Sequence, residues 1–134
     1  LMGAVNVVSA VAPLMIEKRW GRIVSINSAT VKQPMTRHGL STVFRSGLAG
    51  YLKHLANESA AHGVTVNMIG PASIGTETFM GRADAQARAA TVPMKRLGKP
   101  EERAAAAAFF CSELAGFITG TTLQVDGGMT ASLT

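Results

Sequence analysis

The stretch GRIVSINS, residues 21–28, decides the fold. Its Ile and Val residues form an almost continuous apolar run, which is typical of a strand buried on both faces in a parallel sheet. We predict a strand over residues 22–27, a loop over residues 29–39 and a helix that begins near Ser41. This order places Ser28 at the carboxyl end of a strand and ahead of a long helix, where active sites of α/β proteins are often built.

The rest of the sequence alternates helices with short apolar strands. The predicted helices cover residues 2–19, 41–61 and 100–115, the predicted strands cover residues 22–27, 64–69 and 122–126, and a small irregular helical region ends near Ala90. Helices that alternate with buried strands indicate an α/β fold with a parallel sheet and right-handed crossovers. We therefore predict three parallel strands with helices packed against them.

The predicted sheet is small for an independent domain. Parallel sheets are normally covered on both faces, and they usually contain more than three strands. The chain also opens on Leu1, within apolar sequence and without a start methionine. We therefore expect residues 1–134 to be part of a longer domain whose N-terminal part supplies the rest of the sheet.

The composition is that of a folded globular protein. Of the 134 residues, 47% are hydrophobic and 16% are charged, which excludes a disordered chain. The net charge is +5, and its densest cluster (Lys18, Arg19 and Arg22) lies where it complements the carbonyl end of the first helix. Solvated helix ends therefore explain the charge better than nucleic-acid binding, which stays a weaker alternative.

Membrane segments, disulfides and metal sites are not indicated by the sequence. Residues 1–16 are apolar but too short to cross a membrane, and they lack the basic start of a signal peptide, so we expect a cytoplasmic protein without a membrane partner. Cys111 is the only cysteine, and its apolar helical surroundings predict a core residue rather than a nucleophile. No cluster of His, Cys and carboxylate residues has the spacing of a metal site, so we expect no metal.

Four stretches carry a resemblance to a known family. They are GRIVSINS, AGYLKHLANESAAHGVTVNMIGP, RLGKPEERAAAAAFF and ITGTTLQVDGG. In this order they resemble the C-terminal half of the short-chain dehydrogenase/reductase family, and most closely its reductases of 3-oxoacyl thioesters on acyl carrier protein. The resemblance implies a Rossmann-type doubly wound parallel sheet and NAD or NADP as cofactor. The glycine-rich phosphate loop and the residue that selects NAD or NADP would lie upstream of Leu1.

The resemblance also assigns three catalytic positions. Ser28 matches the family's catalytic serine, which hydrogen-bonds the substrate oxygen. The family's spacing, anchored by Ser46-Gly-Leu-Ala-Gly, places its proton-donating tyrosine at Ser41 and its lysine at Arg45. A serine hydroxyl is shorter and far less acidic than a phenol, so Ser41 cannot readily donate a proton near pH 7. Arg45 keeps the positive charge and can bind ribose hydroxyls, but it gives up no proton.

Two other side chains come into question as the proton donor. Tyr51 is the only tyrosine, but it lies roughly 9 Å beyond Arg45 along the helix at ~1.5 Å per residue, so packing is its favoured role. His38 lies three residues before Ser41, and histidine titrates near neutral pH. We expect His38 to be an exposed loop residue, with replacement of the missing acid as the alternative.

The loop Pro71-Ala-Ser-Ile-Gly-Thr resembles the family's Pro-Gly-x-x-x-Thr loop, which holds the nicotinamide carboxamide. The resemblance implies that Pro71, Ala72, Ile74 and Thr76 bind the cofactor, together with Arg45. Ala72 stands where glycine is usual, which raises a question about the local backbone. Thr76 can alternatively cap the helical segment that follows it.

We interpret the sequence as an NAD(P)-dependent oxidoreductase that interconverts a small-molecule carbonyl and an alcohol, with 3-oxoacyl thioesters as a candidate substrate. Residues 77–95 would then form a variable lid over the substrate. The alternative is a catalytically inactive relative that binds the cofactor or acts as a scaffold subunit, which the loss of the tyrosine favours. In both cases the resemblance implies a homo-oligomer, dimer or tetramer, through helices 2–19 and 41–61. We expect residues 1–134 alone to be inactive.

Overall fold

The computed structural model describes residues 1–133 and contains one parallel sheet of three strands in the order β1-β2-β3. The strands are β1 (Gly21–Ile26), β2 (Val64–Pro71) and β3 (Thr122–Val125). Ile26 pairs with Ile69, and Pro71 pairs with Val125, so the carboxyl ends of all three strands meet at one edge of the sheet. The predicted parallel α/β architecture is confirmed.

Five α-helices connect and cover the strands. They are α1 (Met2–Glu17), α2 (Gly39–Ser59), α3 (Glu77–Met80), α4 (Ala85–Thr91) and α5 (Pro100–Cys111), with single 3₁₀ turns at Ala29–Val31, Ala60–His62 and Glu113–Ala115. Helix α1 ends two residues earlier than predicted, because Arg19 has a positive φ of 52°. Helix α5 ends at Cys111, since Ser112 is extended. Strand β2 continues to Pro71, because Gly70 and Pro71 pair with β3.

Helices cover both faces of the sheet. Helices α1 and α2 bury one face, whose core consists of Ala12, Ile23, Leu52, Leu55, Ala56, Val64, Val66 and Met68. Helix α5 covers the other face, where Phe110 packs with Ile69 and Ala115. Phe110 is 2% exposed, so its truncation to alanine should cost about 3–5 kcal/mol. Tyr51 packs beside the α1–α2 core and hydrogen-bonds Ser9, which confirms its predicted packing role.

Two predictions about apolar residues were wrong. The three- and four-residue spacing of Phe44, Leu48 and Leu52 predicts one packing face on α2, but Phe44 is 52% exposed to solvent. Cys111 was predicted to lie in the core and is exposed, because Phe110 faces the sheet and the next residue points about 100° away around the helix. Within residues 1–133, no helix is long and apolar enough to cross a membrane.

A buried amide connects β2 to the segment before β3. Asn67 is fully buried in β2; its Nδ2 donates to the carbonyl of Ile118 at 2.7 Å, and its Oδ1 accepts from the backbone N–H of Thr121 at 3.3 Å. These bonds satisfy the polar groups of a side chain that has no access to water. They fix β3 against β2, and with it the sheet edge where the strands end.

Candidate active site

A cavity of about 290 Å³ lies at the carboxyl ends of β1 and β2. Ser28 and Thr30 line it from the segment after β1, and His38 lines it from the start of α2. Pro71, the last residue of β2, also lines it, together with Ala72, Ser73, Ile74 and Thr76 of the loop that follows. Five of the predicted site residues therefore face a single cavity, at the sheet edge where α/β folds bind their ligands.

Ser28 lines this cavity and caps the 3₁₀ turn that follows it. Its Oγ accepts hydrogen bonds from the backbone N–H of Thr30 at 3.2 Å and from the Thr30 hydroxyl at 3.1 Å. A hydroxyl group that accepts two bonds keeps its own hydrogen for a third partner. Ser28 is thus fixed in place and can donate to an oxygen atom of a ligand.

Arg45 is half-buried and fastens α2 to the end of β1. Its Nη1 donates to the carbonyl oxygen of Asn27 at 2.9 Å, while Asn27 Nδ2 donates back to the carbonyl oxygen of Arg45 at 3.2 Å. Ser41 lies one turn earlier on α2 and is also half-buried. Among residues 1–133, neither Ser41 nor Arg45 lines the cavity that contains Ser28.

His38 occupies a different place from the one predicted. It is half-buried rather than exposed, it directly precedes α2, and it lines the same cavity as Ser28. Its Nδ1 lies 2.9 Å from the carbonyl oxygen of Thr36. The sequence showed only that His38 is close to Ser41 along the chain, since the path of the loop that folds it inward is not encoded in any local pattern.

Backbone hydrogen bonds hold the loop after β2 to β3 and to the segment before α5. Ala72 N–H donates to the carbonyl of Val125, and Gly75 N–H and Gly98 N–H make two further bonds that fasten the loop to the segment before α5. Within the described chain, the non-glycine residues with positive φ are Arg19, Arg37 and Lys95. Ala72 is not among them, so alanine fits where the family usually has glycine.

Thr76 caps α3 as the sequence alternative predicted. Its Oγ1 accepts from the backbone N–H of Phe79 at 3.3 Å. The hydroxyl hydrogen of Thr76 stays available to a ligand, because capping uses only an acceptor lone pair. The capping role therefore does not exclude the predicted contact with a carboxamide.

Two arginines bring positive charge to the cavity, and sequence reasoning missed both. Arg88 of α4 donates to Asp84 at 2.7 Å, and Arg103 comes from the first turn of α5. Hydrogen bonds from Arg82 and then Arg88 hold the pKa of the Asp84 carboxyl well below its usual range. Because Arg103 follows two glutamates in a helix start, its sequence context suggested only a solvated position.

Comparisons with known proteins show the family of this chain. The family model described as enoyl-(acyl carrier protein) reductase matches residues 1–130. Nodulation protein G of Azospirillum brasilense is 43% identical over 126 residues, which cover 92% of this chain and 51% of that protein. The chain belongs to the short-chain dehydrogenase/reductase family.

Two further relatives of this short-chain dehydrogenase/reductase chain are 3-oxoacyl-[acyl-carrier-protein] reductases. The enzyme of Salmonella typhimurium is 40% identical over 122 residues, covering 90% of this chain and 50% of that protein. The crystal structure of the enzyme from Brucella melitensis matches with a TM-score of 0.89 at 33% identity, over 98% of this chain and 50% of that chain. The predicted family and Rossmann-type fold are confirmed, and the chain spans about half the length of the curated relatives it matches.

The residues of this family member suit one end of a nicotinamide cofactor. Pro71, Ala72, Ile74 and Thr76 line the cavity, and the cap on α3 leaves the Thr76 hydroxyl hydrogen unused, so this loop could bind a carboxamide. A binding site for the diphosphate of the cofactor is not found in the described residues. Residues 1–133 contain no glycine-rich turn that leads from a strand directly into a helix. The described residues also contain no group of three His, Cys, Asp or Glu side chains that could hold a metal ion.

Proposed function

We propose that this chain is the C-terminal half of an NAD(P)-dependent oxidoreductase that interconverts a carbonyl and an alcohol. One observation carries the proposal: the Ser28 hydroxyl and the loop 71–76 line a single cavity at the carboxyl ends of β1 and β2. The similarity to two 3-oxoacyl-[acyl-carrier-protein] reductases makes 3-oxoacyl thioesters the first substrates to test.

The proposed roles follow from the positions of the side chains. A bound reduced nicotinamide would supply the hydride, with its carboxamide held by Pro71, Ala72, Ile74 and Thr76. Ser28 donates a hydrogen bond to the carbonyl oxygen and stabilises the negative charge that develops there. Arg45 is a permanent cation that can bind the ribose hydroxyls through the nitrogens that Asn27 leaves free. NAD and NADP both suit this half of the site.

The assembly is part of the same proposal. Large apolar side chains are left exposed on α1 and α2: Val7, Leu14, Leu40, Val43 and Phe44. Apolar surface of this kind marks an interface with another protein segment. We propose that α1 and α2 form a homodimer or homotetramer interface and that a preceding N-terminal half completes the sheet beside β1.

The first experiment is to read the coding sequence upstream of Leu1 and to express the full-length protein. We expect a strand, a glycine-rich turn and a helix to precede this chain. The purified protein should then bind NADH or NADPH, measured by quenching of the cofactor's fluorescence, and oxidise it with 3-oxoacyl thioesters or simple ketones. A protein that binds neither cofactor would contradict the proposal.

A second function has its own supporting observation. The tyrosine and lysine positions of the family are held by Ser41 and Arg45, which suits a non-catalytic subunit that binds the cofactor or serves as a scaffold. This alternative predicts cofactor binding without turnover on any carbonyl. It also predicts that Ser41→Tyr combined with Arg45→Lys leaves turnover absent.

A further inference from the structure

His38 lines the cavity in which the proposed carbonyl reduction would take place. It is half-buried and lines the cavity together with Ser28, whereas Ser41, at the family's tyrosine position, does not. Tyr51 cannot substitute, because its hydroxyl is engaged with Ser9 between α1 and α2. Among the side chains of residues 1–133 that line the cavity, only His38 carries an imidazole, the group that most often serves as a general acid or base.

The hydrogen bonding of His38 determines which ring nitrogen is available. Nδ1 lies 2.9 Å from the carbonyl oxygen of Thr36, and a carbonyl oxygen can only accept. The hydrogen of that bond therefore belongs to Nδ1. Nε2 is then the ring nitrogen that can donate a proton to a ligand or take one from it, as in catalytic histidines whose other nitrogen is oriented by an acceptor.

The charges around His38 suit a ligand that becomes negative. Arg88 from α4 and Arg103 from α5 line the same cavity, and no carboxylate of residues 1–133 does. Asp84 is held in ion pairs with Arg82 and Arg88 beside it. A carbonyl oxygen that gains negative charge during reduction would thus share the cavity with Arg103, the Ser28 hydroxyl and a proton source, while Asp84 compensates the charge of Arg88.

We propose that His38 is the catalytic proton donor that replaces the missing tyrosine, a proposal that rests on the proposed carbonyl reduction. A bound reduced nicotinamide would supply the hydride to the carbonyl carbon and would itself be oxidised, which leaves the former π electron pair on the carbonyl oxygen. That oxygen then takes the proton from Nε2 of the imidazolium form of His38. The electron pair of the broken N–H bond stays on Nε2, so His38 becomes a neutral imidazole. In alcohol oxidation the neutral imidazole takes the proton back.

Two substitutions separate proton transfer from a structural role. His38→Asn retains an amide donor for the Thr36 carbonyl but has nothing at the position of Nε2. His38→Gln reaches the Nε2 position with an amide that transfers no proton. The matched control is His54→Gln, because the His54 side chain is 70% exposed on α2, the helix that follows His38, and pairs with Glu58.

In the full-length protein, we expect both His38 variants to lower kcat for carbonyl reduction by at least about 100-fold, the lower end of general acid catalysis. Cofactor affinity and the melting temperature should stay near the parent values, and His54→Gln should keep parent turnover. If His38 only held the loop through Thr36, His38→Asn would retain parent turnover, and the proposal would be overturned.

The pH dependence gives a second test in the same protein. Reduction requires a protonated His38 and alcohol oxidation a neutral one, so kcat of the parent should show a step with pH that has opposite signs for the two directions. Asp84, beside the cavity, does not cause this step near neutral pH, because its pKa is lowered. This change of kcat with pH should therefore vanish in His38→Gln and persist in His54→Gln. An unchanged pH dependence of kcat in His38→Gln would contradict the proposal.

A readout without turnover completes the test. In the absence of any nicotinamide, a short 3-oxoacyl thioester should shift the NMR resonances of the His38 ring and leave those of His54 unchanged. Unshifted His38 resonances at saturating thioester, or full turnover in His38→Gln, would overturn the role of His38 and leave the proposed reductase intact. A parent protein that binds cofactor but reduces no carbonyl would overturn both.

Discussion

Arg45 and Asn27 hydrogen-bond each other reciprocally: Arg45 Nη1 donates to the Asn27 carbonyl at 2.9 Å, and Asn27 Nδ2 donates to the Arg45 carbonyl at 3.2 Å. Asn27 is 3% exposed, so both bonds lie largely out of water. They connect the helix that begins after His38 to the strand end that carries Ser28. The relative position of the two proposed catalytic residues therefore depends on this pair.

Substitution of either partner should loosen this connection. Because a buried polar group loses its partner, we expect Asn27→Ala and Arg45→Ala each to lower the free energy of unfolding by about 1–3 kcal/mol. The double variant should cost less than the sum, since both single variants break the same pair. Urea unfolding of the parent, the two single variants and the double variant measures this coupling. Lys32→Ala, a substitution at an exposed site, is the control. Strictly additive losses would show that the two residues act independently.

Ser28→Ala should reduce turnover more than it reduces stability. Loss of the donor to the carbonyl oxygen should lower kcat by about 10²–10³-fold, the usual cost of removing one such group. Loss of the cap on Thr30 N–H should cost about 1 kcal/mol. We would measure kcat and the melting temperature of Ser28→Ala. Ser46→Ala is the control, because Ser46 is exposed on α2. A Ser28→Ala protein with parent kcat would exclude Ser28 from catalysis.

Ser41→Tyr with Arg45→Lys should raise carbonyl reduction by about tenfold or more. A phenol beside an ammonium group can donate at pH values where an imidazolium has lost its proton, so the gain should be largest above pH 8. Rates of NAD(P)H oxidation across pH test this, with Ser46→Tyr on the exposed side of α2 as control. No gain at any pH would favour a scaffold subunit over a reductase.

Acid should weaken the ion pair that orders the segment before α5. Hydrogen bonds from Arg96, at 2.8 and 2.7 Å, and from the Lys99 backbone lower the pKa of Glu102 from 4.5 to about 2. A lowered folded-state pKa adds stability above the unfolded value, and this contribution is lost as pH falls from about 4.5 to 2.

The melting temperature of Glu102→Gln should consequently lie below that of the parent near neutral pH and approach it near pH 2. Glu101→Gln, one residue away in the same helix turn, is the control that removes a charge without removing the bidentate pair. An equal gap between parent and Glu102→Gln at both pH values would contradict the role of this pair.

The fold could be predicted from the sequence because the apolar runs of strands and the glycines that follow helices are local signals. The positions of β1, β2 and β3 and the approach of Ser28 to the sheet edge depend on such patterns. Phe44 could not be placed, because the same helical spacing marks a face that packs within the chain and a face that is left exposed.

The site was only partly predictable for a related reason. Ser28 and the loop 71–76 lie at the ends of β1 and β2 in the sequence, so the predicted strands also predict their positions at the sheet edge. His38 and Arg103 enter the cavity through the path of a loop and the orientation of a helix start. Neither of these is encoded in neighbouring residues, so both side chains looked like solvated positions in the sequence.

Transfer of deuterium from 4,4-dideuterated NADH or NADPH to the carbonyl carbon of a 3-oxoacyl thioester or ketone is the most direct test of the proposed carbonyl reduction. Mass spectrometry of the alcohol formed by the full-length protein measures this transfer, with Ser28→Ala for comparison. We expect one deuterium on the former carbonyl carbon, at a rate that falls about 100-fold or more in Ser28→Ala. Cofactor binding without any deuterated alcohol would contradict it.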